Sequence, residues 1–387
     1  MSTMFTETEE RVALRKAVRD LGSKYGPAYF EECARSGTKT DELWAEAGRL
    51  GYLGVAVPEE FGGGGGDIGD LAAVCEELAT AGCPLLMMVV SPAIVGTIVA
   101  QFGTPEQQQR WLPGFADGTL KVAFSITEAD AGSNSHKIIT SARRDGEDWL
   151  LSGGKTYISG VDEASHVLVV ARTADAKTGK LSPTLFMVPT DAQGFTAHEI
   201  DMGIRSPEKQ FTLFFDDVRV SAQELVGEED AGIEQLFAGL NPERIMASAY
   251  ATGMARYALA KAIAYAKERE VWGQPIGAHQ GIAHPLAQSH IEIEMARLMT
   301  QKASALLAAG DLMAAAEAAN MAKYAAGEAV CTTVDRAVQT HGGNGLAKEY
   351  GLVDLIAASR LSRIAPVSRE MVLNFVTQFS LGLPKSY

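Results

Sequence analysis

Lys121-Val-Ala-Phe-Ser-Ile-Thr-Glu-Ala-Asp-Ala-Gly-Ser133 divides the chain into two textures. Ahead of it, Leu14, Ala17, Val18 and Leu21 share one helical face, opened by a capping box from Thr6 to Glu9. Helical patterning returns over 70–112 and breaks at Pro113-Gly114. From Val122 onward the pattern becomes short β-rich runs (122–127, 149–153, 166–172, 184–189 and 211–215) separated by Gly, Asp and Pro turns. Phe211, Leu213 and Phe215 alternate with Thr212 and Phe214, a period of two. From Gly232 the chain is helical again and rich in Ala, and Ile291, Met295, Leu298 and Met299 keep helical spacing. The stretch 245–265 is apolar almost all round, as suits a helix buried in a bundle or subunit interface. The order predicts an α+β chain: an N-terminal helical domain (1–120), a central antiparallel β domain (121–230) built as a small sandwich or barrel, and a C-terminal helical bundle domain (231–387).

Composition narrows the function. The 387 residues carry 34 Lys+Arg against 48 Asp+Glu, a formal charge of −14. That balance argues against a nucleic-acid partner or a polybasic membrane-surface protein, so an anionic ligand must be held by local Arg and backbone donors. Cys33, Cys75, Cys83 and Cys331 show neither C-x-x-C nor metal-ligand spacing and read as small apolar residues in a reducing compartment. The opening Met1 to Lys16 lacks an apolar core with a cleavage site, and the apolar stretch 84–99 is interrupted by Ser91 and Pro92. These features predict a cytoplasmic enzyme with no membrane segment. The glycine run 62–66 has no following Lys-Ser/Thr, and Asp67 and Asp70 would repel phosphate, so it reads as a flexible turn. G-x-G-x-x-G, Walker and H-E-x-x-H patterns are absent, which leaves metal catalysis and a doubly wound nicotinamide fold without support.

Four segments carry candidate chemistry. Phe124 to Ser133 is a strand running into a turn, whose backbone donors suit a polar heterocycle. Gly154-Lys-Thr-Tyr-Ile-Ser159 sets an aromatic and a hydroxyl two apart on one strand face. Arg269-Glu-Val-Trp-Gly-Gln-Pro-Ile-Gly-Ala-His-Gln280 joins two helices and offers an Arg for phosphate and an indole for stacking. Gln339-Thr-His-Gly-Gly-Asn-Gly345 is a glycine-rich helix end that can bring backbone amides to a pyrophosphate. Each taken singly also reads as an ordinary turn, strand or helix cap.

In this order and at these distances the segments resemble the acyl-CoA dehydrogenase family, along nearly the whole chain. Val57-Pro-Glu-Glu-Phe-Gly-Gly63 and Phe215-Asp-Asp-Val-Arg-Val220 extend the likeness. The resemblance implies a helical domain, a β domain and a C-terminal four-helix bundle, with FAD shared between neighbouring subunits of a homotetramer. By its motifs Phe124, Ile126 and Thr127 line the flavin ring, with Gly132 and Ser133 beside it. Tyr157 and Ile158 lie against the isoalloxazine, and Ser159 reaches its N5 region. Arg269, Trp272 and Gln280, with Gln339, Gly342 and Gly343, hold the pyrophosphate and adenosine of the neighbour's FAD, and Ser368 contacts the cofactor. Ser133 and Arg244 are the implied substrate contacts. Arg269 also has a purely structural reading, as a cation near a helix C-terminus.

One departure bears on mechanism. Many members of the family place a catalytic Glu where this chain has Pro366, within Arg363-Ile-Ala-Pro-Val-Ser-Arg-Glu370. The isovaleryl and long-chain types place the base on the buried helix that opens the last domain, where Asn241-Pro-Glu-Arg-Ile245 matches them at Glu243. The alternative for Glu243 is a helix N-terminal carboxylate behind Pro242 at the first helical position. The activity implied is dehydrogenation of an acyl-CoA to a trans-2-enoyl-CoA. Glu243 takes the α proton, the flavin takes the β hydride, and an electron-transferring flavoprotein receives the electrons. In the family the residue now replaced by Pro366 also donates a backbone N–H to the thioester oxygen, and proline has none. The alternatives are a flavin oxidase or monooxygenase of the same fold, or a non-catalytic acyl-CoA-binding subunit. Met87, Met88, Val89 and Val90 suggest an apolar acyl group and equally suit a core.

Overall fold

The computed structural model describes residues 7–174, 179 and 181–386. Its first domain comprises α1 (Glu9–Ser36), α2 (Asp41–Arg49), α3 (Ile68–Thr80), a buried π-helical stretch (Val89–Gly96), α4 (Thr97–Phe102) and α5 (Pro105–Asp117). The expected cap residue Thr6 lies outside the described residues. Thr8 caps α1 instead, its hydroxyl accepting the Arg11 N–H. α5 does not break at Pro113 but runs on to Asp117 and ends at Gly118 in the left-handed region. Pro113 removes one ladder N–H, and burial of Trp111, Leu112, Phe115 and Ala116 offsets that loss.

The glycine run 62–66 is no flexible turn. The N–H groups of Gly64, Gly65 and Gly66 donate to the carbonyls of Gly54, Val57 and Val55. A Cβ on Gly63 would lie 2.1 Å from the Val57 oxygen, so this close approach excludes any side chain. Asp67 then caps α3, and Arg11 pairs with both Asp67 and Asp70 at 2.8 Å.

The central domain holds β1 (Val122–Ser125), β2 (Ser141–Asp145), β3 (Asp148–Ser159), β4 (His166–Ala174), β5 (Leu181–Pro189), β6 (Phe195–Ile200), β7 (Gln210–Val220) and β8 (Leu225–Val226). They form one sheet in the order β6-β7-β3-β2-β4-β5-β8, with β1 beside β4. Pairing is antiparallel as expected except at β1–β4 and β2–β4, which are parallel. Residue periodicity reveals a strand but not its direction, which the connections set. β2 and β6 are mostly exposed and carry no apolar alternation, so neither showed in the sequence.

The last domain contains α6 (Gly232–Glu268), a small hairpin of β9 (Glu270–Val271) and β10 (Gln274–Pro275), then α7 (Gln280–Ala308), α8 (Leu312–His341), α9 (Val353–Ile364) and α10 (Arg369–Phe375). α6 to α9 pack as a bundle around Ala255, Ala258, Ala262, Ile293, Val330 and Val334. A separate core joins all three domains: Met87, Met88, Val89 and Val90 pack in it with Phe124, Leu168, Ile245 and Met246.

An ion network ties α1, α3, α6 and α7 together. Arg15 reaches Glu76 at 2.6 Å and Glu77 at 3.0 Å, Arg256 reaches the same pair at 3.0 and 2.9 Å, and Arg297 also binds Glu76. Burial pushes the Glu77 carboxyl up, but the hydrogen bond from Arg19 and the charge of Arg256 outweigh it and hold it at about 2. A depressed native value contributes stability above the unfolded value, near 4.3, that is lost as pH falls toward 2. Denaturant midpoints of Glu77→Gln measured across that window should therefore depend less on pH than those of the parent. An unchanged slope would remove Glu77 from the acid response.

Candidate functional site

The first candidate surface is built where β1 ends. Beyond Ser125 the chain turns through Ile126 to Glu128, and the Thr127 carbonyl accepts the Thr156 N–H at 2.9 Å. Beneath this crossing lies Lys155, 1% exposed, which donates to the Ile126 carbonyl at 3.1 Å and to Glu128 Oε1 at 2.8 Å. The Glu128 carboxylate also accepts the N–H groups of Ile139 (2.6 Å) and Thr140 (3.0 Å). Burial pushes the Lys155 ammonium down to about 8, against the bond and charge of Glu128. This buried pair clamps the strand-and-turn segment to β3. Glu128 and Lys155 each stand inside a motif picked out in the sequence, yet the pairing between motifs was not legible there.

Above the clamp β3 is bulged. Its register with β7 shifts between Lys155 and Ile158, and Tyr157 takes a φ of 57°. The expected placement of Tyr157 and Ser159 on one regular strand face is therefore corrected, because the bulge breaks the alternation. The bulge leaves the Tyr157 side chain 60% exposed and buries Ile158. The Ser159 hydroxyl donates to Gln210 Oε1 at 3.1 Å. Phe124 is buried in the three-domain core and Ile126 packs against it, whereas Gly132 and Ser133 stand exposed at the turn. Met87 underlies this edge: a Cβ on Gly160 would lie 2.3 Å from its sulfur.

The second surface lies at the far end of the bundle. Arg269 caps the C-terminus of α6, and its carbonyl accepts the Ile276 N–H at 2.7 Å. Trp272 (φ 54°) and Gly273 (φ 78°) form the hairpin turn between β9 and β10. That geometry leaves the indole 89% exposed. Gln280, also exposed, opens α7. Gln339 sits in the last turn of α8, its carbonyl taking the Gly342 N–H. Tyr265 stacks on His341 with centroids 4.2 Å apart, and Asn344 donates to its hydroxyl at 3.1 Å. The stack ties the end of α6, just ahead of Arg269, to the glycine-rich end of α8. A Cβ on Gly342 or Gly343 would meet nothing within 4 Å, so the backbone there is open to a ligand.

The third group surrounds Glu243. α6 begins at Gly232, so Pro242 and Glu243 lie inside it and not at its N-terminus. The helix-terminal reading of Glu243 is thereby overturned, since the dipole effect is confined to the terminal turn. Its carboxylate has no hydrogen bond or ion pair among the described residues. Burial pushes the carboxyl up to about 7, while the charges of Arg244 and Lys323 pull the other way. Arg244 donates to the Leu240 carbonyl at 3.0 Å and to Asn241 Oδ1 at 3.3 Å, but its buried Nε has no partner. Lys323 on α8, 2% exposed, donates to the Val367 carbonyl, one residue beyond Pro366. Sequence reasoning passed over Lys323. Its signal is a lone cation on an alanine face, with Ala319, Ala322 and Ala326 buried around it. Ser368 caps α10, its hydroxyl accepting the Met371 N–H at 3.2 Å. It borders a cavity of about 260 Å³ with Arg360, Arg363 and Arg369.

A carboxyl poised near neutrality beside an apolar core, an exposed bulged aromatic and an open glycine backbone suit an oxidoreductase that binds a large planar cofactor. Family models agree: the acyl-CoA dehydrogenase N-terminal domain matches residues 8–119, the middle domain 123–218 and the C-terminal domain 230–381. The chain is 63% identical over 385 residues to the acyl-CoA dehydrogenase FadE12 of Mycobacterium tuberculosis, covering 100% of this chain and 99% of that protein. It superimposes on butyryl-CoA dehydrogenase from Megasphaera elsdenii with a TM-score of 0.90 at 29% identity, over 98% of this chain and 100% of the other. A structure described as an electron transferring flavoprotein of Acidaminococcus fermentans gives 0.92 at 28% identity, over 98% and 100%. The chain belongs to the acyl-CoA dehydrogenase family. It is an oxidoreductase acting on acyl-CoA, with FAD as cofactor. The residues present fit that group: the open Gly342–Gly343 backbone admits a pyrophosphate, and Trp272 and Tyr157 present unoccluded aromatic faces. Among the described residues no helix is long and apolar enough to cross a membrane, and no cluster could hold a metal ion.

Proposed function

We propose that this enzyme converts an acyl-CoA to its trans-2-enoyl-CoA in the cytoplasm, with Glu243 as the base. The observation that carries this reading is the Glu243 carboxyl itself: inside α6, unpaired, and raised to about 7. A general base works best with a pKa near the operating pH. Bound FAD supplies the hydride acceptor. On the protein side, Phe124, Ile126, Thr127, Gly132, Ser133, Tyr157, Ile158 and Ser159 hold the flavin end. Arg269, Trp272, Gln280, Gln339, Gly342 and Gly343 hold the pyrophosphate and adenosine end, and Ser368 adds a contact. Ser133 and Arg244 face the thioester.

Arg269 follows Glu243 on the same helix by roughly 26 residues, about 39 Å at 1.5 Å per residue. That span exceeds one dinucleotide's reach, which supports a cradle serving a neighbouring chain's FAD. The exposed stripe Ile291, Met295 and Leu298 on α7 supports burial against further copies, in a homotetramer. The relative described as an electron transferring flavoprotein supports such a flavoprotein as electron acceptor. Pro366 favours a second reading, an oxidase, since losing an N–H donor to the thioester oxygen can cost on the order of 10²–10³ in rate.

An acyl-CoA panel scored by anaerobic flavin bleaching tests the function. Bleaching by one chain class with slow reoxidation in air supports a dehydrogenase, rapid reoxidation selects the oxidase, and no bleaching by any thioester overturns both. Arg269→Ala should lose FAD and assembly together, because a charge-assisted hydrogen bond contributes about 1.5–3 kcal/mol. A fully flavinated Arg269→Ala tetramer in sedimentation would contradict the shared cradle.

A further inference from the structure

Tyr265 stands in the last turn of α6, just ahead of Arg269, and touches both C-terminal segments proposed to hold the cofactor. Its carbonyl accepts the Arg269 N–H at 2.9 Å. Its ring stacks on His341, the last residue of α8, with the two planes 26° apart. Its hydroxyl accepts a hydrogen bond from Asn344 Nδ2 at 3.1 Å. The two side-chain contacts therefore fall on either side of Gly342 and Gly343. Both glycines are exposed, and neither carries a side chain that could hold it in place. The Tyr350 ring closes the group edge-on, its centroid 6.2 Å from that of Tyr265 and 5.8 Å from that of His341. His341 is 5% exposed and is fixed by its own helix. Its Nδ1 lies 2.8 Å from the Ala337 carbonyl, which can only accept, so Nδ1 carries the proton. One end of this bracket is thus a buried stack, and the other is a single bond between Asn344 and a phenol.

We propose that Tyr265 is a positioning residue for the cofactor: its ring and hydroxyl hold the Gly342–Gly343 backbone in register with Arg269, so that the two segments form one preorganised site for the pyrophosphate. This rests on those segments holding FAD. The physical reason is entropic. Glycine samples more backbone conformations than any other residue, and a site that must be ordered on binding loses affinity by that cost. The bracket orders the pair beforehand. A bond that only stabilised the fold would lower the unfolding midpoint and leave the FAD affinity of the folded enzyme unmoved, because the cradle would be equally ordered with and without the cofactor.

The test is equilibrium FAD release on serial dilution of the full-chain holoenzyme, read by flavin fluorescence. Tyr265→Phe keeps the stack and loses the acceptor, and Asn344→Ala loses the donor. Each should raise the FAD dissociation constant by roughly 2–10-fold, the contribution of one neutral hydrogen bond. The double variant should raise it no further than either alone, since both remove the same bond. Tyr265→Leu, which loses ring and hydroxyl together, should release FAD more readily than Tyr265→Phe. If it does not fold, the two milder variants carry the comparison. Parental FAD affinity in Tyr265→Phe and Asn344→Ala, with Arg269→Ala losing FAD, overturns this inference alone. Losses that add in the double variant also overturn it, because the two side chains then act by separate routes. An Arg269→Ala enzyme that keeps FAD at the parental affinity overturns the cradle and, with it, the role of Tyr265.

Discussion

Glu243→Gln should retain FAD and bind acyl-CoA, while single-turnover flavin reduction falls by about 10²–10⁴-fold, the range general base catalysis contributes. Glutamine keeps the volume and polarity of the carboxylate but cannot accept a proton. The control is Glu370→Gln. Glu370 is exposed at the start of α10 and bonded to Arg369 at 3.0 Å, so its loss should change reduction only a few-fold. The parental rate should rise with pH through about 7 as the half-buried carboxyl ionises. Pro366→Glu combined with Glu243→Gln asks whether the corner latched by Lys323 can host a base, with slow recovery as the expected result. Reduction at the parental rate in Glu243→Gln would show that the proton leaves by another group.

The second large effect concerns the clamp under the proposed flavin edge. Lys155→Met leaves the Glu128 carboxylate buried with only the Ile139 and Thr140 N–H groups. Breaking a buried pair from one side costs about 3–5 kcal/mol, because the remaining charge has lost its compensation. The double variant Glu128→Gln/Lys155→Met removes both charges and should recover most of that stability. FAD retention separates scaffold from site. The crossing bond from Thr156 to the Thr127 carbonyl lies directly above the pair, so Lys155→Met should also release FAD at lower denaturant than global unfolding requires. Coincident FAD release and unfolding would make the pair purely structural.

The domain order and the chemistry-bearing segments were legible because each depends on short-range pattern. Helical spacing marked α1 and α7, alternation marked β7, and the motif around Tyr157 needed only its neighbours. β2 and β6 were not legible, since exposed polar strands are held by ladder bonds rather than by an apolar stripe. α5 passed through Pro113 because tertiary burial outweighed a local breaker. The glycine run at 62–66 read as flexible because the approach of Val55 and Val57 belongs to the folded loop.

The sequence by itself determined the order of α, β and α domains, the family and the identities of the residues on offer, since composition and spacing are one-dimensional. Only the tertiary structure decided that Glu243 lies inside α6 and not at its end, and that Tyr157 stands on a bulge. It also decided that Lys155 reaches Glu128 and that Lys323 reaches the carbonyl beside Pro366. The reason is that burial and charge act through space. A carboxylate becomes a base near neutral pH through the water it loses and the cations it faces, and both are set by chain segments far from it in sequence.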